Sequence, residues 1–175
     1  MQLLVNTLAT FLDKSNVVVS GVTALTILYT RSAGIAYFAA GALVCSRVAK
    51  FLKRFVRQPR PFNPRPRRQK VSYGMPSTHS AVVAHCIVYT LLAARRLPLH
   101  PSLPEQARTF GPLIIVPWSA AIAISRIWLG HHTWQQVVAG CLLGVAFAFF
   151  WFSNWTNGLN EYGTYFEQKY LLQWI

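Results

Sequence analysis

The chain has 175 residues, 53% hydrophobic and only 12% charged, which is too apolar for an ordinary soluble domain. Seventeen Lys and Arg face four acidic residues for a formal charge of +13, a balance that points to a phosphorylated substrate, an anionic lipid or a nucleic acid. Cys45, Cys86 and Cys141 sit singly inside apolar runs, which excludes a disulfide framework and a cysteine-based zinc site.

In chain order, residues 1–16 read as an N-terminal segment. Met1–Leu12 lacks a basic start and a small-residue cleavage site, so no cleavable signal peptide is expected. Five apolar runs follow, at Val17–Tyr29, Ala33–Val48, Ser80–Ala94, Pro112–Ile124 and Val137–Phe152. The first two are short against the ~20 residues of a typical spanning helix. Pro117 inside the fourth is tolerated where neighbouring helices re-satisfy the backbone. Gly140 and Gly144 in the fifth have the spacing that lets helices approach closely. A soluble bundle of five such runs would lack polar surface to cover it. The expected fold is therefore all-α, a multi-pass transmembrane bundle of about five spans over residues 17–152. Residues 153–175 form a polar and aromatic tail to which the sequence assigns no function.

The connections are uneven. Arg47 to Lys70 carries ten basic residues and no acidic one, and prolines at 59, 61, 64 and 66 rule out a continuous helix beyond Gln58. With five spans, Lys53–Met75, Pro76–His79 and Arg126–Thr133 meet at one membrane face, where an active site is expected.

Those segments carry the chemistry. Basic residues beside a span often only bind anionic headgroups, at ~1 kcal/mol each, and Ser77 ahead of an apolar run can serve as a helix N-cap. Arg126 is harder to dismiss, since an intramembrane arginine costs ~2.5–3.5 kcal/mol even on the lenient insertion scale. Together, Lys53, Arg60 and Arg126 offer fixed positive charge to phosphoryl oxygens. The helix start at Ser77–Ser80 presents free backbone N–H groups to an anion. His79 and His132 come from different spans, so one can attack phosphorus while the other protonates the leaving oxygen. No acidic residue lies between Lys14 and Pro104 or between Gln106 and Asn160, so the carboxylate cluster of a two-metal phosphatase is missing. The reading calls for no metal and no cofactor.

Lys53-x6-Arg60-Pro61, Pro76-Ser77-Thr78-His79 and Ser125-Arg126-x5-His132, in that order with spans between, resemble the three signature segments of the phosphatidic acid phosphatase type 2 superfamily. The resemblance covers about Ala33 to Phe152. It implies His132 as nucleophile, His79 as general acid and Arg126 as the transition-state clamp, with Lys53, Arg60, Ser77 and Thr78 holding the phosphate. His131 would point to a different helix face, and His85 and His100 are expected to be structural. Thr78 stands where many members have glycine. Gln136 stands where most have an aspartate that orients the nucleophile.

That glutamine, with Tyr73-Gly-Met-Pro-Ser-x-His-Ser and Gln58-x-Arg-Pro, resembles the dolichyl-diphosphatase branch. The branch implies removal of the terminal phosphate of dolichyl diphosphate in the endoplasmic reticulum membrane, recycling the carrier for N-glycosylation, with a lumenal active site. Counting charge alone, the basic Arg47–Lys70 side should face the cytosol. Asn154-Trp-Thr156 is a glycosylation sequon on the opposite face, expected to stay unmodified if the site is lumenal. A broader lipid phosphate phosphatase and an inactive membrane scaffold are the rival readings. Nucleic-acid binding by the basic run is the weakest, because no soluble module presents it. The expected partners are a polyprenyl or dolichyl diphosphate lipid and the membrane.

Overall fold

The computed structural model describes residues 15–62 and 72–171. The segment before residue 15, prolines 64 and 66 with the basic residues at 65–70, and the last four residues lie outside these. Five long helices run in chain order: α1 Ser15–Thr30, α2 Ala33–Val56, α3 Thr78–Arg96, α4 Ala107–Trp128 and α5 Trp134–Asn154. No strand forms among the described residues. The all-α expectation holds, and each helix outruns the apolar run that announced it, because its ends carry polar and basic residues that need no hydrocarbon.

Helix α2 has 24 residues, so it is ~36 Å long against a hydrocarbon core of ~30 Å. Its last turn, with Lys53 and Arg54, thus reaches the membrane boundary. It stops at Arg57, which adopts a left-handed conformation (φ 49°) and bonds back to the Lys53 carbonyl, two residues before Pro59. Three helical runs are long and apolar enough to cross a membrane: Ala33–Val56, Ala107–Trp128 and Trp134–Tyr170. Val19–Thr30 is shorter, and α3 falls below that apolarity. The reason for α3 is its place: it packs against α2, α4 and α5, with Ser80, Ala81, Ala84, His85 and Tyr89 buried, and so presents little surface to lipid.

The α3–α5 contact is built on small residues. A Cβ at Gly140 would stand 2.5 Å from the Ser77 carbonyl oxygen, and one at Gly144 would overlap the Ala81 carbonyl and lie 2.9 Å from the Ala84 Cβ. Both obstacles include backbone, which cannot swing aside. Replacing Gly144 by leucine should lower the unfolding temperature in detergent by roughly 2–12 °C, the range for ~1–3 kcal/mol of overpacking. Gly21→Leu is the control, because nothing lies within 4 Å of a Cβ there.

Two buried clusters fill the bundle, Cys45 with Ala49 and Ala81, and Tyr89 with Ala148 and Phe152. Cys45 is the small buried hydrophobe expected of it, while Cys86 and Cys141 are half-buried free thiols. His85 fits the structural role, buried among the Phe38, Tyr89 and Phe147 rings.

Residues beyond 152, set apart in the sequence as a tail, continue the helix. The chain kinks at Asn157 and Gly158 (φ 123°) and proceeds through α6, Asn160–Phe166. It is fastened to the bundle: Tyr37 stacks against Trp151 and Trp155 with ring centroids 4.8 and 4.7 Å apart. Glu167 accepts the Ala33 N–H at 2.8 Å, at the start of α2, and pairs with His100 at 2.9 Å. His100 is therefore structural as well.

Candidate active site

The turn between α4 and α5 follows from local rules. Gly130 takes φ 66° just past the end of α4, and its N–H bonds to the Ile127 carbonyl while that of His131 bonds to the Arg126 carbonyl, the Schellman pattern. The His132 N–H shares the same Arg126 carbonyl at 3.1 Å. Helix α5 then opens with a capping box: Thr133 Oγ1 accepts the Gln136 N–H, and Gln136 Oε1 accepts the Thr133 N–H. The two histidines are held between a helix stop and a helix start. His131 and His132 thus belong to a turn and not to a helix, which corrects the expectation that His131 faces elsewhere.

Gln136 is 1% exposed, and its amide orientation is fixed by groups with only one possible role. The Pro59 carbonyl can only accept, so the amide nitrogen faces it at 2.9 Å, and also donates to Gln58 Oε1 at 3.0 Å. The Thr133 N–H can only donate, so Oε1 faces it. His132 Nδ1 lies 3.0 Å from that same Oε1 and must therefore carry its proton. Nε2 remains as the ring nitrogen with a lone pair. Burial pushes His132 from the usual 6.5 down to about 4; the bond to Gln136 opposes this, and the charges of Arg60, Lys53 and His79 add to it. The shift favours the neutral ring at physiological pH.

A cavity of about 180 Å³ opens here, lined by Arg60, His79, Arg126, His131 and His132. The C-terminal ends of α2 and α4 and the N-terminal ends of α3 and α5 meet at it, so it sits at one end of the bundle. Arg126 is 2% exposed and its guanidinium donates to Ser125 Oγ at 3.2 and 3.3 Å. Arg60 is tied to Ser72, through the carbonyl at 3.1 Å and the hydroxyl at 2.8 Å.

The remaining sequence candidates are not among these lining residues. Lys53 is 7% exposed and donates to the Tyr73 carbonyl at 3.0 Å. Ser77 is fully buried and caps α3, its hydroxyl accepting from the Ser80 N–H and Oγ. Thr78, half-buried, is the first residue of α3. Sequence reasoning missed His131 as a lining residue. It also missed the enclosure of Gln136, although Thr133-x-x-Gln136 announces a capping box and Gly130 a helix stop. Among the described residues no three His, Cys, Asp or Glu side chains gather as metal ligands would.

Helices and cavity together define an all-α membrane protein with a cationic, histidine-bearing pocket at one end of its bundle. The chain belongs to the PAP2 superfamily, whose pattern matches residues 22–159. It is 29% identical to human Dolichyldiphosphatase 1 over 136 residues, 72% of this chain and 55% of that protein. Dolichyldiphosphatase 1 of Dictyostelium discoideum is 30% identical over 129 residues, 72% of this chain and 54% of that protein. Lipid phosphate phosphatase gamma of Arabidopsis thaliana is 28% identical over 153 residues, 85% of this chain and 65% of that protein. The chain spans little more than half the length of the dolichyldiphosphatases it matches. The fold matches the crystal structure of the transmembrane PAP2 type phosphatidylglycerolphosphate phosphatase from Bacillus subtilis with a TM-score of 0.65 at 21% identity, covering 90% of this chain and 77% of that one.

Proposed function

We propose that this chain hydrolyses dolichyl diphosphate to dolichyl phosphate and inorganic phosphate through a phosphohistidine on His132. The observation that carries the reading is a neutral His132, its Nδ1–H engaged by Gln136, lining a cavity whose other walls are Arg60, His79, Arg126 and His131. Nε2 attacks the terminal phosphorus, the bond to the bridging oxygen breaks, and His79 gives its proton to the departing dolichyl phosphate. Arg60 and Arg126 neutralise the charge on the phosphoryl oxygens. Water, deprotonated by the now neutral His79, then attacks phosphorus, the N–P bond breaks and phosphate leaves. Lys53 holds the segment at Tyr73 and adds positive charge near His132, and Ser77 fixes the start of α3.

The diphosphate assignment is supported by the relatives named dolichyldiphosphatase and by the neutral partner of His132. A broader lipid phosphate phosphatase is the second reading, favoured by the Arabidopsis relative that matches the largest share of this chain among those given above. The proposed location is the endoplasmic reticulum membrane with the cavity on the lumenal side, where the product phosphate would be released. Asn154 lies at the far end of α5 with its amide donating to the Phe150 carbonyl at 2.9 Å, and stays unglycosylated in this orientation.

The deciding measurement is phosphate release by purified protein from dolichyl diphosphate, dolichyl phosphate and phosphatidate, with and without excess EDTA. Dolichyl diphosphate should give the highest kcat/KM, and activity should survive the chelator. Preference for phosphatidate would establish the broader reading, and a magnesium-restorable loss with EDTA would overturn the histidine mechanism.

A further inference from the structure

Gln136 is joined to all three segments of the site. Its backbone carbonyl accepts the Ser77 N–H at 2.9 Å, its Oε1 meets His132 and Thr133, and its amide nitrogen meets Gln58 and Pro59. Both hydrogen-bonding capacities of the side-chain oxygen and both of the nitrogen are filled. Gln58 does as much from the other side. Its side chain accepts from Gln136 while its carbonyl accepts the Gly74 N–H at 2.7 Å, so it links the Arg60 loop to the approach of α3. Gly74 is bare where the amide lies against it: a Cβ there would stand 2.5 Å from Gln136 Oε1 and 2.6 Å from its Cδ.

We propose that Gln58 is a positioning residue, which acts through Gln136 to hold His132 in its Nδ1–H tautomer and to tie the Arg60 loop to the nucleophile. It touches neither substrate nor reacting atoms. This deepens the reading of His132 as nucleophile and rests on it. The Gln136 amide can turn end for end only by placing its oxygen against the Pro59 carbonyl, and Gln58, whose own amide can turn, adds a second bond that holds the Gln136 nitrogen to this loop. Remove the Gln58 side chain and Gln136 is held to the loop bearing Arg60 by the Pro59 bond alone, so amide and loop both gain freedom and the acceptor of Nδ1 is less firmly placed. A carboxylate at 136, as most of the family is expected to carry, would meet the Pro59 carbonyl with no proton between them. Glutamine is therefore matched to Gln58 and Pro59 as well as to the histidine.

The test uses two substitutions in the full chain, Gln58→Leu, which removes the acceptor, and Gln58→Glu, which keeps one. In protein carrying 15N-labelled histidine, the His132 ring nitrogens report tautomer and titration whether or not any lipid is turned over. The groups facing this ring are Arg60 and Lys53 from the α2 side, His79 from α3, Arg126 from α4 and His131 in the turn. Wild type and Gln58→Glu should show one Nδ1–H tautomer. Gln58→Leu should show mixed tautomers, because the bond from Nδ1 to Gln136 is no longer held in one place. On dolichyl diphosphate, Gln58→Leu should lose about 10- to 100-fold in kcat and also raise KM, with most of the kcat loss absent in Gln58→Glu. A single wild-type tautomer in Gln58→Leu would overturn the inference, even if the phosphatase reading stands. Should wild type release no phosphate from any lipid, that reading fails and the tautomer comparison still decides the role of Gln58.

Discussion

Replacing His132 by alanine should reduce turnover by at least ~10³-fold, because in the proposed mechanism this side chain supplies the attacking atom. With wild type, brief exposure to substrate labelled in the terminal phosphate should give an acid-labile phosphoprotein, which the variant should not form. The neighbouring His131 lines the same cavity, so His131→Ala is the companion variant and should keep the phosphoprotein. A labelled protein in His132→Ala would put the nucleophile elsewhere. The pH profile is a second check. The His132 pKa is depressed to about 4 from 6.5, so the neutral form persists to that pH and kcat/KM should hold on the acid side until near 4. An acid limb at 6.5 would mean that the ring is not desolvated as described. The depression also carries a stability cost. Between pH 6.5 and about 4 the unfolded chain takes up a proton that the folded one refuses, so stability falls as pH drops through that window.

The bundle was legible because apolar runs and their separating charges are properties of composition alone. Helix ends were less so. The Pro112–Ile124 run grew into Ala107–Trp128 because polar residues at the ends are compatible with helix once water is available, which no apolarity argument sees. Residues 153 onward read as a tail because Asn, Thr and Gly dilute the pattern. What holds them is long-range: Glu167 to the start of α2 and Trp155 to Tyr37. The site shows the same division. His79, Arg60, Arg126 and His132 could be named from motif spacing and do line one cavity. Ser77 was legible as the cap of α3, which it is, whereas the bond of Lys53 to the Tyr73 carbonyl was not, because it depends on a partner 20 residues away. Gln136 stands where the resemblance puts the partner that orients His132. That contact exists, but through a capping box and not along a helix face, and its other end reaches 78 residues back to Gln58. Local spacing can announce the first contact; only the fold brings the second.

His79 supports the other large effect, and here size should depend on the substrate. It is the second residue of α3, exposed on the cavity, where it can exchange protons with water between cycles. An acid matters in proportion to the basicity of the oxygen it protonates. Dolichyl phosphate leaving from a diphosphate is a phosphate, whose upper pKa is ~6, whereas a lipid alcohol leaving from a monophosphate departs as an alkoxide nearly as basic as hydroxide. His79→Ala should therefore cost about 10²-fold on dolichyl diphosphate and approach ~10⁴-fold on dolichyl phosphate, mostly in kcat. The second half-reaction adds a sharper signature. Hydrolysis of the proposed phosphohistidine needs a base for water whichever substrate formed it, and in this mechanism the base is His79. With the diphosphate the first step survives the substitution better than the second, so His79→Ala should accumulate phosphorylated His132 where wild type shows only a small steady-state level. With the monophosphate both steps are slow and little intermediate should build up. The neutral Gln136 fits the same logic: it gives His132 less help in bearing positive charge than a carboxylate would, a loss that a good leaving group tolerates and a poor one does not. Equal losses on the two lipids, with no phosphoprotein from the diphosphate, would show that His79 neither protonates the leaving oxygen nor activates the water.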